Sequence, residues 1–249
     1  MRARALLAGP GALRGLRRGR QGVVALVLGR GAYVRLEDHW LFAGQPEVPF
    51  GPLSLAVVDL QWDELRPGQA VHAEPGRLLL GDQPVSLERL RERRPPAATR
   101  AVHGSGATTV AAAAAVEVAG PPPRGLVAGL HALRRGLIRD GVRRLAGRGE
   151  GLTPAGDDVL AGYAAWRHSI GAPAPVTALA ADRSSPLGRA YLRCAERGEL
   201  PDAGAAMLAA LHGGDPRAAA SAALALRGWG TSSGSALVWG MCAGTAIGA

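Results

Sequence analysis

Apolar positions in the first part of the chain come in short bursts with β character. Residues 22–28 (GVVALVL) and 32–36 (AYVRL) are β-branched or aromatic runs joined by Gly29-Arg30-Gly31, a hairpin signal. Further runs at 40–43, 53–60, 70–73 and 77–80 are punctuated by Gly, Pro and Asp, up to the basic, proline-ended 88-ERLRERRPP-96. This spacing predicts a small antiparallel sheet or barrel. The period then changes. Residues 108–119 (TTVAAAAAVEVA) form a small-residue helix broken by 120-GPPPRG-125, and Leu126, Leu130, Leu133, Leu137 and Leu145 recur at helical spacing with arginines on the other face. Later helices are predicted over 187–197, 203–211 and 216–227, the last with Asp215 as N-cap, proline at its first position and Gly228 as its stop. A final helix begins near 231-TSSG-234. Its Gly240, Gly244 and Gly248 line one stripe, which lets another helix approach closely. The expected architecture is α+β: an antiparallel β-rich, barrel-like domain over 1–96, then an α-helical domain over 97–249.

Composition narrows the chemistry. The net charge of +9 suggests a nucleic-acid partner until its source is examined: all 29 cationic side chains are arginine, and the chain has neither lysine nor asparagine. Both missing residues use A/T-rich codons, so a G/C-rich genome explains the bias. Aromatics are 4% and do not interleave with arginine as in a single-strand stacking platform, so no nucleic-acid partner is expected. Without lysine, Schiff-base and pyridoxal chemistry and a P-loop cannot operate within this chain. Cys194 and Cys242 lie far apart and form no CxxC pair, which points to buried free thiols and a reducing cytoplasm. The first 36 residues hold arginines and no acid, superficially like a transit peptide, but they lack Ser and Thr. No apolar segment approaches the roughly 20 residues of a membrane span.

The densest chemistry lies at 147-GRGEGLTPAGDDVLAG-162. Thr153 suits an N-cap with Pro154 as the first helical residue, and Val159, Leu160, Tyr163 and Trp166 give that helix its buried side. Thr153 and Asp157 stand four apart and share a face, whereas Asp158 is rotated by about 100° toward the face of Gly162. The aspartates are either first-turn charges that favour the helix dipole, worth about 0.3–1 kcal/mol if exposed, or parts of a site. Gly147, Gly149, Gly151 and Gly156 favour a site or a close approach, since each costs chain entropy. A second candidate is 228-GWGTSSGSALVWG-240, where Thr231, Ser232, Ser233 and Gly234 open a helix and offer hydroxyls and N–H groups to an anion. An ordinary N-cap is the plainer reading of that stretch taken alone. The segment 103-HGSGATT-109 reads as a loop, and the six histidines show no tight metal spacing.

The loop GRGEGLTPAGDDVLAG resembles the GxGxGLTPxGDDxLxG signature of the AllH-type subunit of oxamate carbamoyltransferase, a family long catalogued as a domain of unknown function. The likeness continues in 194-CAERGELPD-202, 230-GTSSGSALVWGMCAG-244, 23-VVALVLGRGAYVRLEDHWLFAG-44 and 51-GPLSLAVV-58. It departs at Ala236, where the closing motif usually carries an acid, and at Tyr33, where the first strands often carry an asparagine. The resemblance implies a cytoplasmic subunit that acts with other carbamoyltransferase subunits on a small anionic substrate. Oxalurate and phosphate would give oxamate and carbamoyl phosphate, in purine or allantoin nitrogen salvage. In that reading Gly149, Gly151, Thr153 and Gly156 border the substrate. Asp157 or Asp158 holds the transferring amide or a Mg²⁺ ion, and Thr231, Ser232, Ser233 and Gly234 hold a second anionic group. The alternatives are a non-catalytic scaffold subunit and a stand-alone Mg²⁺-dependent hydrolase using the Asp pair.

Overall fold

A computed structural model of the chain describes residues 3–16, 19–94 and 106–246. The end of the basic stretch at 88–96, residues 103–105 of the Gly/Ser/Thr-rich segment and Gly248 of the glycine stripe lie outside the described residues. The chain divides into two units, Met1–Arg94 and Pro95–Ala249, each with its own apolar core.

In the first unit the apolar runs become strands of one closed sheet. The elements are β1 (Arg4–Ala8), α1 (Pro10–Gly15), β2 (Gln21–Leu28), β3 (Gly31–Leu36), β4 (His39–Gly44) and β5 (Ser54–Val58). They are followed by β6 (Ala70–Glu74), β7 (Arg77–Leu80), β8 (Gln83–Ser86) and β9 (Arg91–Glu92). The strand order is β5-β4-β3-β2-β6-β7-β8-β1, and pairing of β1 with β5 closes the ring, with β9 continuing alongside β1. Most pairs are antiparallel; β4–β5, β1–β8 and β1–β9 are parallel. Closure leaves few open edges, and Val24, Val34, Leu41, Leu55, Val71, Leu78 and Leu80 fill the interior. The arginine-bearing start of the chain is thus partly barrel: β1 is the strand that seals it.

The second unit is helical: α2 (Gly106–Ala119), α3 (Arg124–Arg134), α4 (Ile138–Leu145), α5 (Ala155–Ser169), α6 (Val176–Leu179), α7 (Pro186–Ala195), α8 (Asp202–Gly213), α9 (Pro216–Arg227) and α10 (Ser233–Thr245). The leucine pattern over 126–145 is two helices, not one, because Gly136 turns the chain with φ +73°. Asp215 caps α9, accepting from the N–H groups of Arg217 and Ala218. Among the described residues no helix is long and apolar enough to cross a membrane. Cys194 and Cys242 are buried and form no disulfide.

Two helices are buried almost all round: α5 from Gly156 to Trp166, and α10 at Gly234 and from Ala236 to Gly244. A helix without a polar face belongs in a core. These two pack backbone against backbone. A Cβ at Gly162 would meet the Leu237 carbonyl oxygen at 2.2 Å, one at Gly240 the Val159 oxygen at 1.9 Å, and one at Gly244 the Trp166 ring at 2.3 Å. Contacts run from Thr153–Ser233 at the start of the two helices to Trp166–Gly244 near their ends, so α5 and α10 run parallel. Their N-termini, and the two loops singled out above, therefore lie at the same end.

Candidate functional site

At that end the Thr153 and Ser233 hydroxyls stand 3.3 Å apart, although 80 positions separate them in the chain. Two parallel helices place two positive dipole ends side by side, a setting that favours a negative or electron-rich ligand group. The Gly149–Leu152 and Gly230–Ser232 stretches are exposed, while Thr153 and Ser233 are half-buried.

The aspartates are not exposed caps. Asp157 is 1% and Asp158 6% exposed. Their roles diverge because their surroundings do. Asp157 Oδ1 accepts from the Gly147 N–H at 2.8 Å and from Ser184 Oγ at 2.7 Å, and its Oδ2 accepts from the Ser185 N–H at 3.1 Å. It therefore ties the start of the glycine loop to the segment before α7. Ser185 completes the tie by donating from its hydroxyl to the Leu152 carbonyl at 2.6 Å, while that hydroxyl also accepts from the Gly188 N–H. Ser184 and Ser185 were missed in the sequence; the signal available was a Ser before Pro186, which marks an N-cap and not a loop anchor.

Asp158 is met instead by the Ser233 and Thr153 hydroxyls. Its Oδ2 is buried without a hydrogen-bond partner. Burial raises its pKa to about 8; the negative charge of Asp157 adds to this, and the Ser233 and Thr153 hydroxyls oppose it without prevailing. At neutral pH the carboxyl mostly keeps its proton.

Two expectations need correction. Thr153 does not cap α5: the N-cap is Pro154, with no side-chain cap bond. Nor does Thr153 share a face with Asp157, since its hydroxyl acts on Asp158. Both failures have one cause. Thr153 lies before the first helical turn, where the 3.6-residue period does not apply.

Several glycines expected to border a ligand have their backbone committed elsewhere. The Gly156 N–H donates to the Arg148 carbonyl at 2.8 Å, and a Cβ there would strike the Leu145 oxygen at 2.0 Å. The Gly234 N–H donates to the Trp229 carbonyl at 3.0 Å, and its missing Cβ leaves room for the Leu226 oxygen. Gly149 (φ +114°) lies against the Ala155 nitrogen, whereas Gly151 (φ +93°) borders open space. Thr231 and Ser232 are exposed on the approach to Ser233. Ala236, where the related motif has an acid, is fully buried in the helical core, and Tyr33 pairs with Phe42 at 5.0 Å in the barrel unit.

The residues do not fit Mg²⁺. Both Asp157 oxygens are engaged by protein donors, so the Asp pair offers no two open carboxylates to a Mg²⁺ ion. Among the described residues no group of three or more His, Cys, Asp or Glu is placed to hold a metal.

Comparison with protein families agrees with the motif. Residues 145–245 match the family model described as oxamate carbamoyltransferase subunit AllH. This stretch is similar to AllH over residues 145–245. That region contains both loops and the whole Asp158–Thr153–Ser233 arrangement, and it stops short of the barrel. No match was found among curated proteins or among solved structures.

Proposed function

We propose that the chain is a substrate-binding subunit of an oxamate carbamoyltransferase, working with other subunits on a small anionic, carbamoyl-bearing substrate. One observation carries this reading: two helix N-termini meet through Thr153 and Ser233 beside Asp158, whose buried Oδ2 has no partner, within the stretch that matches the AllH family. In the reaction, a phosphate oxygen attacks the terminal carbamoyl carbon of oxalurate. The C–N bond breaks, the nitrogen leaves protonated as oxamate, and carbamoyl phosphate forms; the reverse direction carbamoylates oxamate. The Thr153 and Ser233 hydroxyls and the two helix dipoles stabilise negative charge, and positioning supplies much of the rate. Purine or allantoin nitrogen catabolism in the cytoplasm is the setting this chemistry suits.

The test is carbamoyl transfer by the chain assembled with its partner subunits. Thr153→Val and Ser233→Ala should each lower turnover by about 10²-fold, the scale of losing one positioned donor. Melting curves should stay close to wild type. Unchanged turnover in both variants would leave the chain a scaffold and refute the reading.

A further inference from the structure

We infer that Asp158 is the group that recognises the primary amide of the substrate, its buried carboxyl pairing with the amide through one donated and one accepted hydrogen bond. The inference rests on the carbamoyl-substrate reading above and deepens it. An unmet buried polar atom costs about 1–3 kcal/mol, so a carboxyl oxygen left unpartnered inside the protein is poised for an external group. That group must suit the surroundings. The adjoining positive helix ends disfavour a cation, and among the described residues no group of three or more His, Cys, Asp or Glu is placed to hold one. A carboxylate would meet another carboxyl in a buried place. A primary amide fits: its C=O and N–H complement the O–H and C=O of a neutral carboxyl, and no charge is buried. The Thr153 and Ser233 hydroxyls flank the pair. The acid end of the substrate then faces the exposed Gly149–Leu152 and Gly230–Ser232 stretches and the two helix starts.

The pairing needs the proton, and burial holds it on Asp158 up to about pH 8. The charges around Asp158 are few. Asp157 is the one that acts on it, raising its pKa. Helix α10 brings only Cys242, itself kept neutral by burial. The arginines and Asp140 of α4, Arg189 and Arg193 of α7, and Arg148 and Glu150 of the loop exert no charge effect among those acting on Asp158. Amide affinity is therefore full below pH 8 and falls as pH rises through it.

Calorimetric titration of the full chain tests this with three probes of one shape: oxamate, oxalate (oxygen for the amide nitrogen) and pyruvate (methyl). At pH 7 oxamate should bind at least about 10-fold more tightly than either other acid, as a site built for a polar group rejects analogues that lack it. Its advantage should shrink above pH 8. Asp158→Asn, itself a donor and acceptor, should keep the preference and lose the pH dependence, and Asp158→Val should lose the preference. Equal binding of oxamate and oxalate by the wild-type chain overturns the amide pairing alone. Binding of none of the three, by chain or assembled complex, overturns the anionic-substrate reading with it.

Discussion

Asp158→Asn should make the protein more stable at neutral pH, and the gain should vanish in acid. The carboxyl ionises near its ordinary 3.8 when unfolded and near 8 when folded. Between these values the folded chain holds one more proton than the unfolded chain, so stability falls as pH rises, by roughly 1.4 kcal/mol per pH unit. From 3.8 to pH 7 this accumulates to about 4 kcal/mol of destabilisation at a group only 6% exposed. Asparagine has a similar shape and no proton to lose, so it removes the whole effect. In urea denaturation followed at pH 5, 6, 7 and 8, other titrating groups cancel in the difference between variant and wild type. That difference should be small near pH 4 and grow with pH to about 4 kcal/mol at pH 7. At roughly 2–4 °C per kcal/mol for a unit of this size, the melting point at pH 7 should rise by about 8–16 °C. A flat difference across pH, or a variant less stable than wild type at pH 7, would refute the claim that Asp158 is held neutral at a cost to stability.

Asp157→Asn should act in the opposite direction. The new NH₂ group faces either the Ser185 N–H or the Gly147 N–H and Ser184 hydroxyl, so at least one charge-assisted bond becomes a donor–donor clash. The expected loss is about 3 kcal/mol, read as a fall in melting temperature of roughly 6–12 °C. Gly240→Ala should destabilise the helical unit by about 3 kcal/mol or more, because its Cβ would lie 1.9 Å from the Val159 oxygen and the parallel helices would have to separate. A urea midpoint within error of wild type would refute the close packing of α5 and α10.

Much of the architecture was legible in local pattern. The β-branched bursts at 22–28 and 32–36 became β2 and β3, the Asp215-Pro216 start and Gly228 stop bounded α9, and the glycine stripe of α10 marked a close helix contact. These features depend on neighbours a few residues away, through steric period, φ preference and capping. Strand β1 was not legible, because the alanines and leucines of 4-RALLA-8 have no strand preference of their own. It becomes a strand through pairing with β5, and with it the barrel closes. The aspartates divide in the same way. Helical geometry alone set Asp157 and Asp158 about 100° apart and made equal roles improbable. Which one anchors and which one keeps an unpartnered oxygen was decided by Ser184, Ser185 and Ser233, brought from 27, 28 and 80 positions away to their partners. Burial and hydrogen-bond satisfaction belong to the assembled surroundings of a side chain, so the neutral carboxyl of Asp158 exists only once α5 and α10 have packed side by side.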